Sequence, residues 1–76
     1  MINLDEYSSI ISVLEKFIAR ENESIALIEQ SAHLLGETVV TPLLHQLVIE
    51  KQHHRLLLEQ ALEDLKEQFE LDEAII

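Results

Sequence analysis

The sequence predicts an all-α fold, an antiparallel two-helix hairpin that pairs with a copy of itself into a four-helix bundle. Three observations carry this expectation. Apolar residues recur at steps of three and four over two long stretches, which gathers them on one side of a helix. The single glycine, Gly36, separates those stretches, and the single proline, Pro42, follows it closely. The composition is 47% hydrophobic but only 4% aromatic, dominated by aliphatic residues and glutamate, which belongs to helices and is too apolar for a disordered chain.

In chain order, Met1 to Asn3 read as a short lead, and Asn3 or Asp5 is placed to cap a first helix over 4–35. Asp5 and Glu6 suit the positive end of its dipole. Its stripe comprises Tyr7, Ile10, Ile11, Leu14, Phe17, Ile18, Ile25, Ile28, Ala32 and Leu35. Gly36 fits the left-handed position just past the helix end and opens a turn over 36–41. Thr38 or Thr41 then caps a second helix over 42–70, with Pro42 in the first turn, where a missing amide hydrogen matters little. That helix carries Leu43, Leu44, Leu47, Val48, Leu57, Leu58, Ala61, Leu62, Leu65 and Phe69, then frays into the acidic stretch Glu70 to Glu73. No internal repeat or domain boundary interrupts residues 1–76, so one domain is expected.

A chain of 76 residues buries too little surface for a large core, and with no cysteine it has no disulfide to compensate. Two helices with one apolar stripe each also leave a face open. A homodimer or higher homo-oligomer closes that face, by the simplest route about a two-fold axis. Fifteen acidic against five basic residues give a net charge of −10, which repels phosphate backbones and anionic membrane surfaces, so nucleic acid and membrane are not expected partners. The sequence has neither a signal peptide nor an apolar run of membrane-spanning length, and a cytoplasmic location is expected. Nucleophile motifs and phosphate-binding loops are absent.

Two glutamates interrupt the apolar pattern. Glu21 follows Phe17 and Ile18, and Glu50 follows Leu43 and Leu47 and precedes Leu57 and Ala61 on the same face. Glu21 lies fifteen residues before Gly36 and Glu50 fourteen after it, so the turn brings them to similar heights. A buried carboxylate without a partner is costly, and it must reach water, take a proton or meet a cation. His53, three residues after Glu50, adds an imidazole near the same face. Two such chains would offer four carboxylates and two imidazoles, the donor set of a di-metal carboxylate centre in a helical bundle, suited to iron, manganese or zinc. Glu23 is the alternative to Glu21. His54 lies nearer the centre of the stripe than His53, and it could be the ligand, a donor to a carboxylate, or a core histidine. The plainer reading is that Glu21 leans to solvent on its methylenes and that Glu50 and His53 are a solvated pair.

The stretch Glu50-Lys51-Gln52-His53 resembles the Glu-Lys-Glu-His that carries metal in rubrerythrins and encapsulated ferritins. Glu21, Ser24, Ile28 and Ala32 are similar to the ligand glutamate of that superfamily's first helix and the residues spaced after it, and the fit covers roughly residues 14–62. The chain departs from the pattern at Ile28, where tyrosine is common, and at His54, where a small residue is usual. The resemblance implies a half-length ferritin-like chain with an iron site formed between two chains. Its ligands would be Glu21, Glu50 and His53, with two irons per dimer, and its activity would be ferroxidase-type iron oxidation or iron handling. Without metal, the same sequence reads as a helical oligomerisation or protein-interaction module whose polar residues set register. An accessory subunit of a larger assembly is the third reading.

Overall fold

The computed structural model describes residues 3–75, with side chains through Leu71. Met1 and Ile2 of the expected lead, and Ile76, lie outside the described residues. Two helices make up the fold, α1 over Leu4–Leu35 and α2 over Thr41–Ile75, packed antiparallel as a hairpin. The acidic stretch expected to fray, Glu70 to Glu73, is still helical.

Asn3 caps α1, its side-chain oxygen accepting from the Glu6 amide at 2.8 Å. That bond satisfies one of the amides that have no carbonyl partner in a first turn. At the other end the Gly36 amide donates to the Ala32 carbonyl at 3.0 Å. Gly36 then turns out of the helix with φ 67° and ψ −160°. The positive φ was expected, but this ψ lies outside the left-handed helical region. It falls in the region of extended backbone that side chains exclude and glycine alone enters freely.

The connection closes through its threonines in an unexpected way. The Thr41 hydroxyl accepts from the Thr38 amide at 2.9 Å and donates to the Gly36 carbonyl at 3.4 Å, while the Thr38 hydroxyl accepts from the Val40 amide at 3.3 Å. Both side chains therefore staple the turn, and neither reaches the amides of the first turn of α2. Pro42, second residue of that helix, has no amide hydrogen to offer. The first helical bond of α2 runs from the Leu44 amide to the Val40 carbonyl, 3.0 Å.

The two helices meet along one seam with a seven-residue repeat. On α1 it contains Tyr7, Ile11, Leu14, Ile18, Glu21, Ile25, Ile28 and Ala32, at alternating steps of four and three. On α2 it contains Leu44, Val48, Lys51, Arg55, Leu58, Leu62, Leu65 and Phe69. These residues are at least partly buried, and their spacing is that of a coiled-coil contact line. At the end remote from the turn, the Tyr7 and Phe69 rings stack with centroids 4.0 Å apart and planes at 18°. This stack ties the two helices together at that end.

The seam does not make a core. Among the described residues Ile25 alone is buried, at 7% exposure. The hairpin is a rod of 58 × 16 × 11 Å with a radius of gyration of 17.3 Å, against about 11 Å for a compact domain of its length. Its accessible surface is 5780 Å², about 1,000 Å² more than a compact monomer of its mass exposes.

A Cβ added at Gly36 would meet no atom within 4 Å, so substitution there costs only backbone strain. Gly36→Ala is expected to destabilise the protein by about 1–3 kcal/mol in urea denaturation. Gly36→Asn should cost about as much, roughly 1–3 kcal/mol, because asparagine tolerates the left-handed helical region and not this one.

Candidate functional site

Midway along the rod the seam stops being apolar. Glu21 on α1 faces Lys51 on α2, with Oε2 3.9 Å from Nζ, and its other oxygen lies 4.0 Å from Nδ1 of His54. One turn along, Arg55 donates to the Asn22 side-chain oxygen at 2.9 Å and lies 3.8 Å from Glu59. Glu21 is 22% exposed and Lys51 29%, so this is a half-buried ion pair that water screens only in part. Of the three outcomes open to a seam carboxylate, Glu21 has met a cation. The contact is one of charge and not of hydrogen bonding, since Oε2 is buried and accepts no hydrogen bond.

The second feature is a face. The long α1 stripe expected from the sequence is two stripes. One is the seam, and the other stands one residue earlier: Ile10, Val13, Phe17 and Leu27, continued by Leu34, are all exposed, with Arg20, Ser24 and Ser31 between them on the same line. On α2 the corresponding positions are Leu43, Leu47, Leu57 and Ala61, and among them only Leu47 is partly covered. One residue is about 100° of helical rotation, so each helix presents two apolar lines at about a right angle. In an antiparallel pair, positions that precede the seam on both helices fall on the same side. The result is one broad apolar face. The opposite side carries Glu15, Asn22 and Glu29 on α1 and His45, Gln52, Glu59 and Lys66 on α2, with Ile49 and Leu56 its exposed aliphatic residues.

A polar belt crosses the apolar face at mid-length, formed by Arg20 and Ser24 on α1 and by Glu50 and His54 on α2. It overlies the Glu21–Lys51 pair, so the same level of the rod is polar in the seam and on the face.

The expected ligands separate in this arrangement. Glu21 is in the seam. Glu50 is exposed on the face and accepts from the Gln46 side chain at 3.2 Å. His53 is exposed, and the histidine brought to Glu21 is His54, itself 57% exposed. Glu23 is exposed on α1. Among the described residues no three His, Asp or Glu side chains gather closely enough to hold a metal ion within one chain. Two elements escaped the sequence reading. Lys51 and Arg55 are seam residues, and the signal was their spacing between Val48 and Leu58 at steps of three and four. Val13, Leu27 and Leu34 belong to the open face, and the signal was that Val13 and Leu27 each precede a seam position by one, with Leu34 seven residues beyond Leu27.

Among the described residues no helix is long and apolar enough to cross a membrane. Comparison of the chain with protein families, with characterised proteins and with solved structures finds no match.

The charged layer predicts an asymmetry. Lys51→Met leaves the Glu21 carboxylate half-buried with only His54 beside it, whereas Glu21→Leu leaves a lysine that can extend to water along its methylenes. In urea denaturation Lys51→Met should lose about 1 kcal/mol relative to wild type, and Glu21→Leu should be neutral or stabilising.

Proposed function

We propose that this chain is a self-associating helical module, in which the open apolar face of one hairpin packs on that of a second copy to form a four-helix bundle. One observation carries this reading: both helices place a second, uncovered apolar line one residue before the seam, on the same side. Lines at about a right angle on every helix are what four helices need to pack in a square, each touching two neighbours. The size of the face supports it as well. The excess of about 1,000 Å² over a compact monomer is close to the roughly 800 Å² that each partner buries in a standard interface. In this role the charged layer sets register and partner choice and performs no reaction, as single polar seam residues do in coiled coils.

A second reading is favoured by the buried Glu21 Oε2 that accepts no hydrogen bond, and by the resemblance of Glu50-Lys51-Gln52-His53 and Glu21 to the ferritin-like di-iron proteins. One hairpin does not supply a complete ligand set. Across two hairpins Glu21 and Glu50, with His53 or the nearer His54, would hold two metal ions, iron first and manganese or zinc as alternatives. The metal would supply Lewis-acid and redox chemistry for iron oxidation or iron handling.

Sedimentation equilibrium on metal-stripped protein in chelator tests the first reading, with a dimer expected. Phe17→Glu and Leu27→Glu should each weaken it at least about a hundredfold, because a two-fold interface counts every substitution twice, while Glu15→Gln on the opposite side should leave it unchanged. A monomer in chelator that dimerises on adding ferrous ion, with two irons bound per dimer, would replace the first reading by the second.

A further inference from the structure

The open face has an internal pattern that orients its partner. On α1 the stripe runs Ile10, Val13 and Phe17, then the polar Arg20 and Ser24, then Leu27 and Leu34 with Ser31 between them, and its midpoint is position 22. On α2 it runs Leu43 and Leu47, then Glu50 and His54, then Leu57 and Ala61, symmetric about position 52, before the polar Asp64 and Gln68. In the folded hairpin these midpoints lie within two residues of one height, about 3 Å at 1.5 Å per residue. Arg55 bonds Asn22 and His54 lies beside Glu21, so position 22 of α1 and position 54 of α2 share one height along the rod. Two stripes on different helices that are symmetric about nearly the same height suit a two-fold axis perpendicular to the rod.

We infer that the partner of the open face is a second copy of this chain lying in the reversed direction, about a two-fold axis that crosses the face beside His54. The inference rests on the self-association proposed above and specifies its geometry. In this packing Ile10 meets the copy's Leu34, Phe17 meets the copy's Leu27, and Leu47 meets the copy's Ala61. His54 meets its own copy. Glu50 and Asp64, at the outer edge of the face, extend past the copy's leucines to water.

Charge separates this packing from the alternative in which both hairpins point the same way. Reversal brings Arg20 level with the copy's Ser24 and one residue from its Glu23, opposite charges on facing helices. The same-way packing sets Glu50 near the copy's Glu23, and lays Ile10 against the copy's Asp64 and Gln68. On a chain of net charge −10, juxtaposed carboxylates are the contact to avoid.

The chain has no cysteine, so single cysteines report the geometry directly. His54→Cys and Leu34→Cys proteins, first shown to be dimers by sedimentation, are treated with a short bis-maleimide and run on a denaturing gel. Reversed packing cross-links His54→Cys and leaves Leu34→Cys uncoupled, since the two copies of position 34 lie about 36 Å apart along the rod at 1.5 Å per residue. A mixture of Arg20→Cys and Ser24→Cys proteins should yield the mixed dimer as well, which tests the geometry without touching His54. Dimers in which Leu34→Cys couples and His54→Cys does not would overturn the reversed packing while leaving self-association standing. A wild-type chain that sediments as a monomer would remove both.

Discussion

Two helices touch along one line, and each helix of this hairpin carries apolar residues along two. Much of the structure follows from that mismatch. The line formed by Ile11, Leu14, Ile18, Ile25 and Ile28 is matched by Leu44, Val48, Leu58, Leu62 and Leu65 and becomes the seam. The line that begins with Ile10, Val13 and Phe17 has no counterpart within the chain and stays in solvent. No rotation of the helices covers both, because the lines lie about 100° apart and a single neighbour spans only one of them. A seam with one buried residue also yields little of the apolar burial that must offset the conformational entropy of ordering the chain. The exposed line is therefore an energetic matter as much as a surface feature, and the proposed packing against a second copy would cover it.

The charged layer acts on a different quantity. Glu21, Lys51 and Arg55, with His54 and Asn22 beside them, interrupt the seam where an all-aliphatic pair of helices would be free to slide by a heptad. Sliding by seven residues would set Glu21 among the leucines of α2 and take Lys51 away from it, and an unpaired half-buried carboxylate is costly. The turn gives the same constraint from the other end. Thr38 and Thr41 bond each other and Gly36, so the connection has little slack to change register. The ring stack of Tyr7 on Phe69 completes the set at the far end.

The polar belt on the open face lies at the height of this layer, and that coincidence ties the two proposals to one region of the molecule. In a metal-free bundle the belt would hold two hairpins in one orientation, by the physics that holds two helices in register in the seam. In a metal-loaded bundle the same carboxylates and imidazoles would be donors. The difference lies in what neutralises Glu21. Lys51 and His54 stand closest to it within the chain, and both are positioned by α2 without help from a second copy.

The sequence by itself determined the two helices, because a periodicity of three and four residues needs no tertiary information, and it marked the break between them with its only glycine. It also singled out Glu21 and Glu50 as polar positions in apolar surroundings. It could not decide which of two adjacent stripes becomes the seam, since Ile10 and Ile11, or Phe17 and Ile18, are equally apolar neighbours. Only the packed pair decides that. Rotating both helices by one residue would exchange the lines, carrying Glu50 and His54 into the seam in place of Lys51 and Arg55 and setting Arg20 there in place of Glu21. The observed rotation puts Glu21 against Lys51 and Arg55 against Asn22, and a contact between charges on different helices is a property of their relative placement that no periodicity along one helix encodes.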